Sequence, residues 1–344
     1  MQFHNKLSKE VAMKKLHAES FKRTTLSFYR YVILEDPQTF RDDLFVEWDK
    51  LACLGRIYIA REGINAQMSV PEHNLEAFTD ALNSREELKD MPIKWAVEDD
   101  GKSFFKLSIK LRPKIVADGL DDGSFDVTNV GKHLSPMAFH ESLDNPDAVV
   151  IDMRNHYESE VGRFENAVCP DVDTFREEIQ MVVDDFSDKK DNKVLLYCTG
   201  GVRCEKASAY LKHHGFNDVN QLHGGIIEYA RQIKQLGIKS KFIGKNFVFD
   251  ERLGERIDGQ VISKCYQCGE ACDTHTNCAN NDCHLLFIQC KACSEHFDGC
   301  CTDECKEIIA LSEEERTKLK SKFHDKYSKS QIYRQRIRPR LSHS

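Results

Sequence analysis

The residues with the clearest capacity for chemistry lie in one short stretch, Cys198-Thr-Gly-Gly-Val-Arg-Cys204. Val194 to Tyr197 run into it like a buried strand. A helical pattern leaves it, with Ala207, Tyr210, Leu211 and His214 at i, i+3, i+4 and i+7 and Gly215 placed to end the helix. Cys198 is therefore expected where a strand ends, a glycine-bearing loop turns and a helix begins. Backbone N–H groups and the positive helix end converge at such a point and favour a thiolate over a thiol. The spacing predicts Cys198 as nucleophile, with Thr199, Gly200, Gly201, Val202 and Arg203 forming a loop that cradles an anion or a persulfide. Arg203 is expected to add positive charge near the sulfur or near a partner's phosphate. Cys204 reads either as a thiol that resolves an oxidised Cys198 or as a small buried packing residue.

Loop length separates two chemistries. A phosphatase loop of this kind carries its arginine six positions after the cysteine, closing round a phosphate. Here position 204 is a second cysteine and Arg203 is five residues on. The tighter loop suits a small anionic group on sulfur better than a phosphate ester.

A second concentration of sulfur lies downstream. Ten of the fourteen cysteines fall between Cys265 and Cys305. Two C-x2-C knuckles, Cys265/Cys268 and Cys290/Cys293, have the spacing of a tetrahedral thiolate zinc site. The expected sets are interleaved: Cys265, Cys268, Cys290 and Cys293 for one structural zinc, and Cys278, Cys283, Cys301 and Cys305 for a second. Cys272, Cys300 and His284 stay unassigned, and disulfides or free thiols are the alternative.

The elements that must position these groups follow from pattern. Five segments are expected: 1–120, 121–236, a charged linker 237–262, the cysteine module 263–310 and a basic tail 311–344. In the first, Thr24 to Leu34 reads as a strand and Asp36-Pro37 caps a helix carrying Phe40, Leu44, Trp48 and Leu51. Strands at 56–60 and 64–70 turn at Glu62-Gly63; a helix with Leu75, Phe78 and Leu82 and strands near 93–97 and 104–111 complete the unit. That order predicts a ferredoxin-like α+β domain. His73 reads as a surface histidine, and Lys102, Lys106, Lys110, Arg112 and Lys114 as a solvated basic face or a nucleic-acid contact. From 135 to 236, short strands alternating with helices predict a parallel sheet with helices on both faces, and Cys198 at a strand's carboxyl end. In the linker, Phe247-Val-Phe249 is expected to dock or add a strand. Asp250, Glu251, Arg252, Glu255 and Arg256 read as a charged cluster near the loop or a charged surface turn.

The net charge is −7. From Thr317 onward nine basic residues face only Asp325, so an acidic body carries a basic tail with Phe323, Tyr327 and Tyr333 interleaved. Such a tail fits a polyanionic partner. The N-terminus shows no apolar core or cleavage site, and no run approaches the ~18 apolar residues of a membrane span. A cytoplasmic location without membrane contact is expected. No flavin, haem or nucleotide motif is visible.

Asp152-Met-Arg154, Glu158, Gly162, the Cys198 loop and Gly224-Gly225 with Tyr229 resemble a rhodanese domain, with Arg163 where the usual histidine stands. With Gly244-Lys-Asn-Phe-Val-Phe-Asp-Glu-Arg-Leu-Gly-Glu-Arg256 and the cysteine-rich end, the chain resembles the bacterial tRNA uridine(34) hydroxylase family over nearly its whole length. The resemblance implies oxygen-dependent formation of 5-hydroxyuridine at the wobble position, with molecular oxygen as co-substrate. It also implies Cys198 acting through a persulfide, the anticodon loop of tRNA as partner, and an unidentified sulfur or electron donor. Two alternatives stay open: a sulfurtransferase passing persulfide sulfur to tRNA or cyanide, and a non-enzymatic redox or RNA-binding module.

Overall fold

The computed structural model describes residues 8–121, 123–172 and 174–317. The basic residues from Lys318 onward, and with them most of the tail expected to meet a polyanion, lie outside the described residues.

A helix absent from the sequence expectation, α1 (Lys9–His17), precedes the first sheet. Then come β1 (Arg23–Tyr31), α2 (Pro37–Lys50), β2 (Leu54–Ala60), β3 (Gly63–Pro71), α3 (Leu75–Asn83), β4 (Lys94–Trp95) and β5 (Leu107–Leu111). Asp36 caps α2 by accepting from the N–H groups of Gln38 and Thr39 at 3.1 Å each, and Pro37 occupies the first turn, where no N–H is needed. The sheet order β4-β1-β3-β2-β5, antiparallel except for the β2–β5 pair, is the ferredoxin-like arrangement with one added edge strand.

Strand alternation gives this sheet two unlike faces. Leu26, Phe28, Ile57, Ile59, Ile64, Ala66 and Met68 pack under Leu44 and Trp48 of α2 and Phe78 and Leu82 of α3. The intervening positions carry Thr25, Ser27, Tyr29, Tyr58, Asn65, Gln67 and, opposite Ser27, Lys94. Helices α2 and α3 lie on the apolar face, and the polar face turns towards the second unit, sharing a cavity with Cys198.

The second unit comprises β6 (Lys132–Leu134), α4 (Pro136–Ser142), β7 (Val149–Asp152), α5 (His156–Val161), β8 (Gly162–Phe164), α6 (Phe175–Asp185), β9 (Lys193–Tyr197), α7 (Val202–His213), β10 (Asp218–Leu222) and α8 (Gly225–Leu236). Its sheet, β6-β10-β9-β7, is parallel throughout. Val194, Leu196 and Cys198 pack on the side of α6 and α7, whereas Leu195 and Tyr197 pack on the side of α4 and α8. Cys198 thus leaves an interior strand already committed to the α7 side.

The segment expected as a linker is folded onto this unit. β11 (Phe242–Asn246) pairs antiparallel with β8 and with β12 (Glu255–Arg256), and Phe247 and Val248 are buried. The added strand is thus 242–246, immediately before the Phe-Val-Phe run. The cysteine module follows as the hairpin β13 (His275–Asn277) and β14 (Leu286–Ile288), then α9 (Lys291–His296) and α10 (Asp303–Ala310).

One buried tie joins β7, β8 and β9. Arg154 donates to both Asp152 oxygens, from Nε at 2.8 Å and Nη2 at 2.7 Å, and Nη2 also reaches Gly162 O at 2.7 Å. Tyr197 completes it, donating to Asp152 Oδ2 at 2.8 Å. Both ion-pair side chains are wholly buried. Removing one partner strands a charge in low dielectric, so Arg154→Met is expected to cost about 3–5 kcal/mol in urea unfolding. A loss under about 1 kcal/mol would contradict the tie.

Candidate active site and thiolate clusters

Strand β9 ends at Tyr197, and the chain reverses through Cys198 to Gly201 before α7 begins. Gly201 has φ 101°, a conformation costly for any residue with a Cβ, and its N–H donates to Cys198 Sγ at 3.1 Å. The floor of the loop is built by α8. Its first free N–H groups, from Ile226 and Ile227, donate to the carbonyls of Cys198 and Thr199 at 3.1 and 3.2 Å. A Cβ on Gly225 would lie 2.5 Å from Thr199 O and 2.6 Å from Cys198 O. The Gly224-Gly225 pair is therefore what lets α8 press its positive end against the loop.

Cys198 is 1% exposed. Burial pushes its thiol upward, but three sources of positive potential outweigh it: the Cys204 thiol donating to the sulfur, the Arg203 guanidinium, and the N–H groups of Arg203 and Cys204. The balance brings Cys198 down to about 6. Burial raises Cys204 well above an ordinary thiol, so it stays a neutral S–H donor beside the Cys198 anion.

Arg203 is not a free charge. Its guanidinium grips Glu158 of α5 bidentately, Nη1 to Oε1 at 2.6 Å and Nη2 to Oε2 at 2.9 Å, with Glu158 fully buried. Glu158 Oε1 also accepts from Asn155 N at 3.1 Å in the capping box of α5. Glu178 of α6 lies near with both carboxylate oxygens buried and unpartnered. Burial raises it well above the usual carboxylate range, against the pull of Arg203.

The sulfur faces a cavity of about 430 Å³ between the two units. Its walls include Ser27, Tyr29 and Gln67 from the polar face of the first sheet, and Phe249 and Arg252 from the segment after β11. Arg252 is held by Asp250 (Nη2–Oδ2 2.6 Å) and Glu255 (Nη1–Oε1 2.6 Å), so the charged cluster lies at the cavity with its guanidinium already paired to two carboxylates. Across the boundary Tyr29 donates to Glu205 of α7 at 2.9 Å and Tyr31 to Val202 O at 3.3 Å.

The module cysteines gather as two groups of four, Cys265, Cys268, Cys290, Cys293 and Cys278, Cys283, Cys301, Cys305, each with sulfurs within 4.8 Å of one another. Thiolates about 2.3 Å from a shared tetrahedral zinc stand roughly 3.8 Å apart. The sulfurs of Cys268 and Cys290 are 3.6 Å apart, those of Cys283 and Cys301 3.7 Å, and those of Cys301 and Cys305 3.8 Å. Backbone N–H groups of Cys290 and Cys301 point at Cys265 and Cys278 sulfur, 3.3 and 3.4 Å away, as suits thiolate ligands. Both sets can hold a metal ion. Cys272 and Cys300 lie outside them.

Three family models match in succession: a UPF0176 acylphosphatase-like domain over residues 23–115, a rhodanese-like domain over 135–232 and a rhodanese C-terminal region over 243–306. A relative from Leptospira interrogans named tRNA uridine(34) hydroxylase is 57% identical over 98% of this chain and 92% of its own length. Relatives of the same name from Cronobacter sakazakii and Yersinia pestis are each 52% identical, covering 92% and 91% of this chain and 91% and 88% of theirs. The chain belongs to the tRNA uridine(34) hydroxylase family. A solved rhodanese-like domain from Anabaena is 20% identical, covering 38% of this chain and 92% of that one at TM-score 0.27.

In this family member the loop residues Cys198 to Arg203 and Cys204 sit together, and both thiolate sets assemble as their spacing predicts. Of the two places expected for the Arg203 charge, the sulfur or a phosphate, the structure shows the guanidinium beside the loop, bonded to Glu158 and within 3.4 Å of Thr199 Oγ1. Two contributors were missed. Glu158 was noticed only as part of a motif, although a glutamate three residues after Asn155 is a capping-box signal. Lys94 carried no signal beyond one lysine inside an otherwise apolar strand.

The ionisation is directly measurable. Pulsed alkylation with iodoacetamide, followed on the Cys198 peptide by mass spectrometry, is expected to be half-maximal near pH 6 and to move upward in Cys204→Ala. A midpoint near the ~8.5 of free cysteine would contradict this geometry. Because the folded thiol ionises more readily than the unfolded one, its stabilising contribution is full above about 8.5. It is lost as pH falls through about 6.

Proposed function

We propose that this chain inserts oxygen at C5 of uridine 34 in tRNA, with Cys198 as the reacting sulfur and the anticodon loop as substrate. The observation that carries this reading is the 57% identity, over 98% of the chain, to a relative named for that reaction. The site supports it. An anticodon loop is single-stranded, so its wobble base can leave the stack without breaking a duplex. The cavity at Cys198, about 430 Å³ with a polar sheet face on one side, has room for a base.

Cys198 works as thiolate or persulfide. The N–H groups of the loop and α7 hold its negative charge, and Arg203, pinned by Glu158, supplies a fixed positive field rather than a substrate grip. Conversion of a C5–H bond to C5–OH with molecular oxygen needs two electrons and two protons to take the second oxygen atom to water. A sulfur or electron donor is therefore a required partner. The two thiolate sets, away from the cavity lining, would each hold a zinc ion in a structural role through four cysteine sulfurs. They hold together a module whose core, apart from its sulfurs, is small. The reaction takes place in the cytoplasm, where its tRNA substrate is.

Mass spectrometry of tRNA nucleosides from cells lacking the protein is expected to show loss of 5-hydroxyuridine with thiolated uridines intact. Loss of a thiolated uridine instead would identify a sulfurtransferase. Metal analysis of the purified chain is expected to give about two zinc ions, one per thiolate set. Cys268→Ser should weaken one site and leave the Cys278 set filled; a metal-free folded chain would refute the structural role.

A further inference from the structure

The charges at the cavity do not balance with the groups considered so far. Cys198 and Glu158 are two anions, and Arg203 is one cation already engaged bidentately by Glu158. Arg252 is spoken for by Asp250 and Glu255. Lys94 completes the account. It belongs to β4 of the first unit, where pairing with Ser27 of β1 sets it on the polar face. It lines the same cavity as Cys198. It is 7% exposed, and among the described residues the carboxylates of Glu205 and Glu228 act on it through space, with no hydrogen bond to either. Its ammonium rests over the Tyr29 ring, 4.4 Å from the centroid, and its stem packs on the Cys198 loop, with Cδ 3.8 Å from where a Gly200 Cβ would be.

A buried ammonium held only by a ring face has hydrogen bonds left to give, and a fold keeps such a group at high cost unless an anion meets it. We propose that Lys94 is a catalytic residue of the Cys198 site, its ammonium facing the negative group carried by the sulfur and the oxygen atoms of the base beside it. This rests on the reading of the site as a uridine-modifying centre. It makes that centre a composite: the rhodanese-like unit supplies the sulfur and the ferredoxin-like unit supplies the cation. Tyr29 is the positioning residue, oriented under Lys94 by its hydrogen bond to Glu205 at 2.9 Å.

The charged and titratable groups around Lys94 are Cys198 from the loop, Glu205 from α7, Glu228 from α8 and Tyr29 from β1. Burial lowers the ammonium to about 8, against the upward pull of the three anions. Lys94 therefore loses its charge as pH rises through about 8, while the Cys198 thiolate forms as pH rises through about 6. Between them lies a window in which both charges exist.

Lys94→Met and Lys94→Arg separate this role from packing. With the full chain and tRNA lacking the modification, the wild-type rate is expected to rise through about pH 6 and fall through about pH 8. Lys94→Met should lower the plateau roughly 10²-fold, the scale of losing one charge-stabilising donor. It should also raise the alkylation midpoint of Cys198 by about one pH unit, since a nearby opposite charge shifts a pKa by about 1–3. Lys94→Arg should keep the midpoint low and remove the alkaline fall, because a guanidinium does not titrate there. An unchanged midpoint and profile in Lys94→Met, or loss of the alkaline fall in neither variant, would overturn the role of Lys94. The alkylation arm needs no tRNA. If wild type made no 5-hydroxyuridine, the functional reading would fail while the Lys94–Cys198 coupling could still stand or fall on the midpoints.

Discussion

The bidentate pair between Glu158 and Arg203 is the constraint on which the rest of the site depends. Arg203 stands in the first turn of α7, Glu158 in the first turn of α5, and both are buried. A charged pair at that depth is worth keeping only if its geometry is held on both sides. The capping box of α5 fixes Glu158, and the loop with α7 fixes Arg203. Their union sets where α7 begins, hence where its N–H groups point, and hence the potential at Cys198. Glu178 matters for the same reason: burial opposes its ionisation, and a second anion there would drain the positive field that Arg203 lends to the sulfur.

The first unit has a second consequence for the site. Its helices cover one face of the sheet, and the uncovered face is polar, closing over the Cys198 loop as the far wall of the cavity. That wall brings the Gln67 and Asn65 amides and the Tyr29 and Ser27 hydroxyls to the cavity lining. The segment around β11 and β12 closes a third side with its own ion-paired cluster, Arg252 between the carboxylates of Asp250 and Glu255. Three stretches distant in sequence thus make one chamber.

Much of this was legible in the sequence where a local rule governs the outcome. Val194 to Tyr197, the glycines and the helical pattern after Arg203 place Cys198, because strand alternation and helix capping act within a dozen residues. The ferredoxin-like order was legible from element sequence, with Asp36-Pro37 marking a cap that formed as read. The two interleaved thiolate sets were legible because knuckle spacing restricts which sulfurs can converge. What depended on tertiary contact was not. Arg203 read as a charge available to substrate, since nothing local tells that Glu158 lies across from it. Residues 242–256 read as a charged linker able to dock or add a strand, but the partner of that strand was not legible, because β8 is three residues long and about eighty positions away. Lys94 read as nothing, since its meaning comes from a domain it meets only in the folded chain.

The central claim is that a single activated sulfur, Cys198, carries the chemistry while its neighbours hold its charge. The most direct measurement is complementation of cells lacking the protein with wild type, Cys198→Ser or Cys204→Ser, reading 5-hydroxyuridine in total tRNA by mass spectrometry. The account predicts that Cys198→Ser restores none of it at normal protein and zinc levels, whereas Cys204→Ser restores a reduced amount. Normal 5-hydroxyuridine with Cys198→Ser would contradict it.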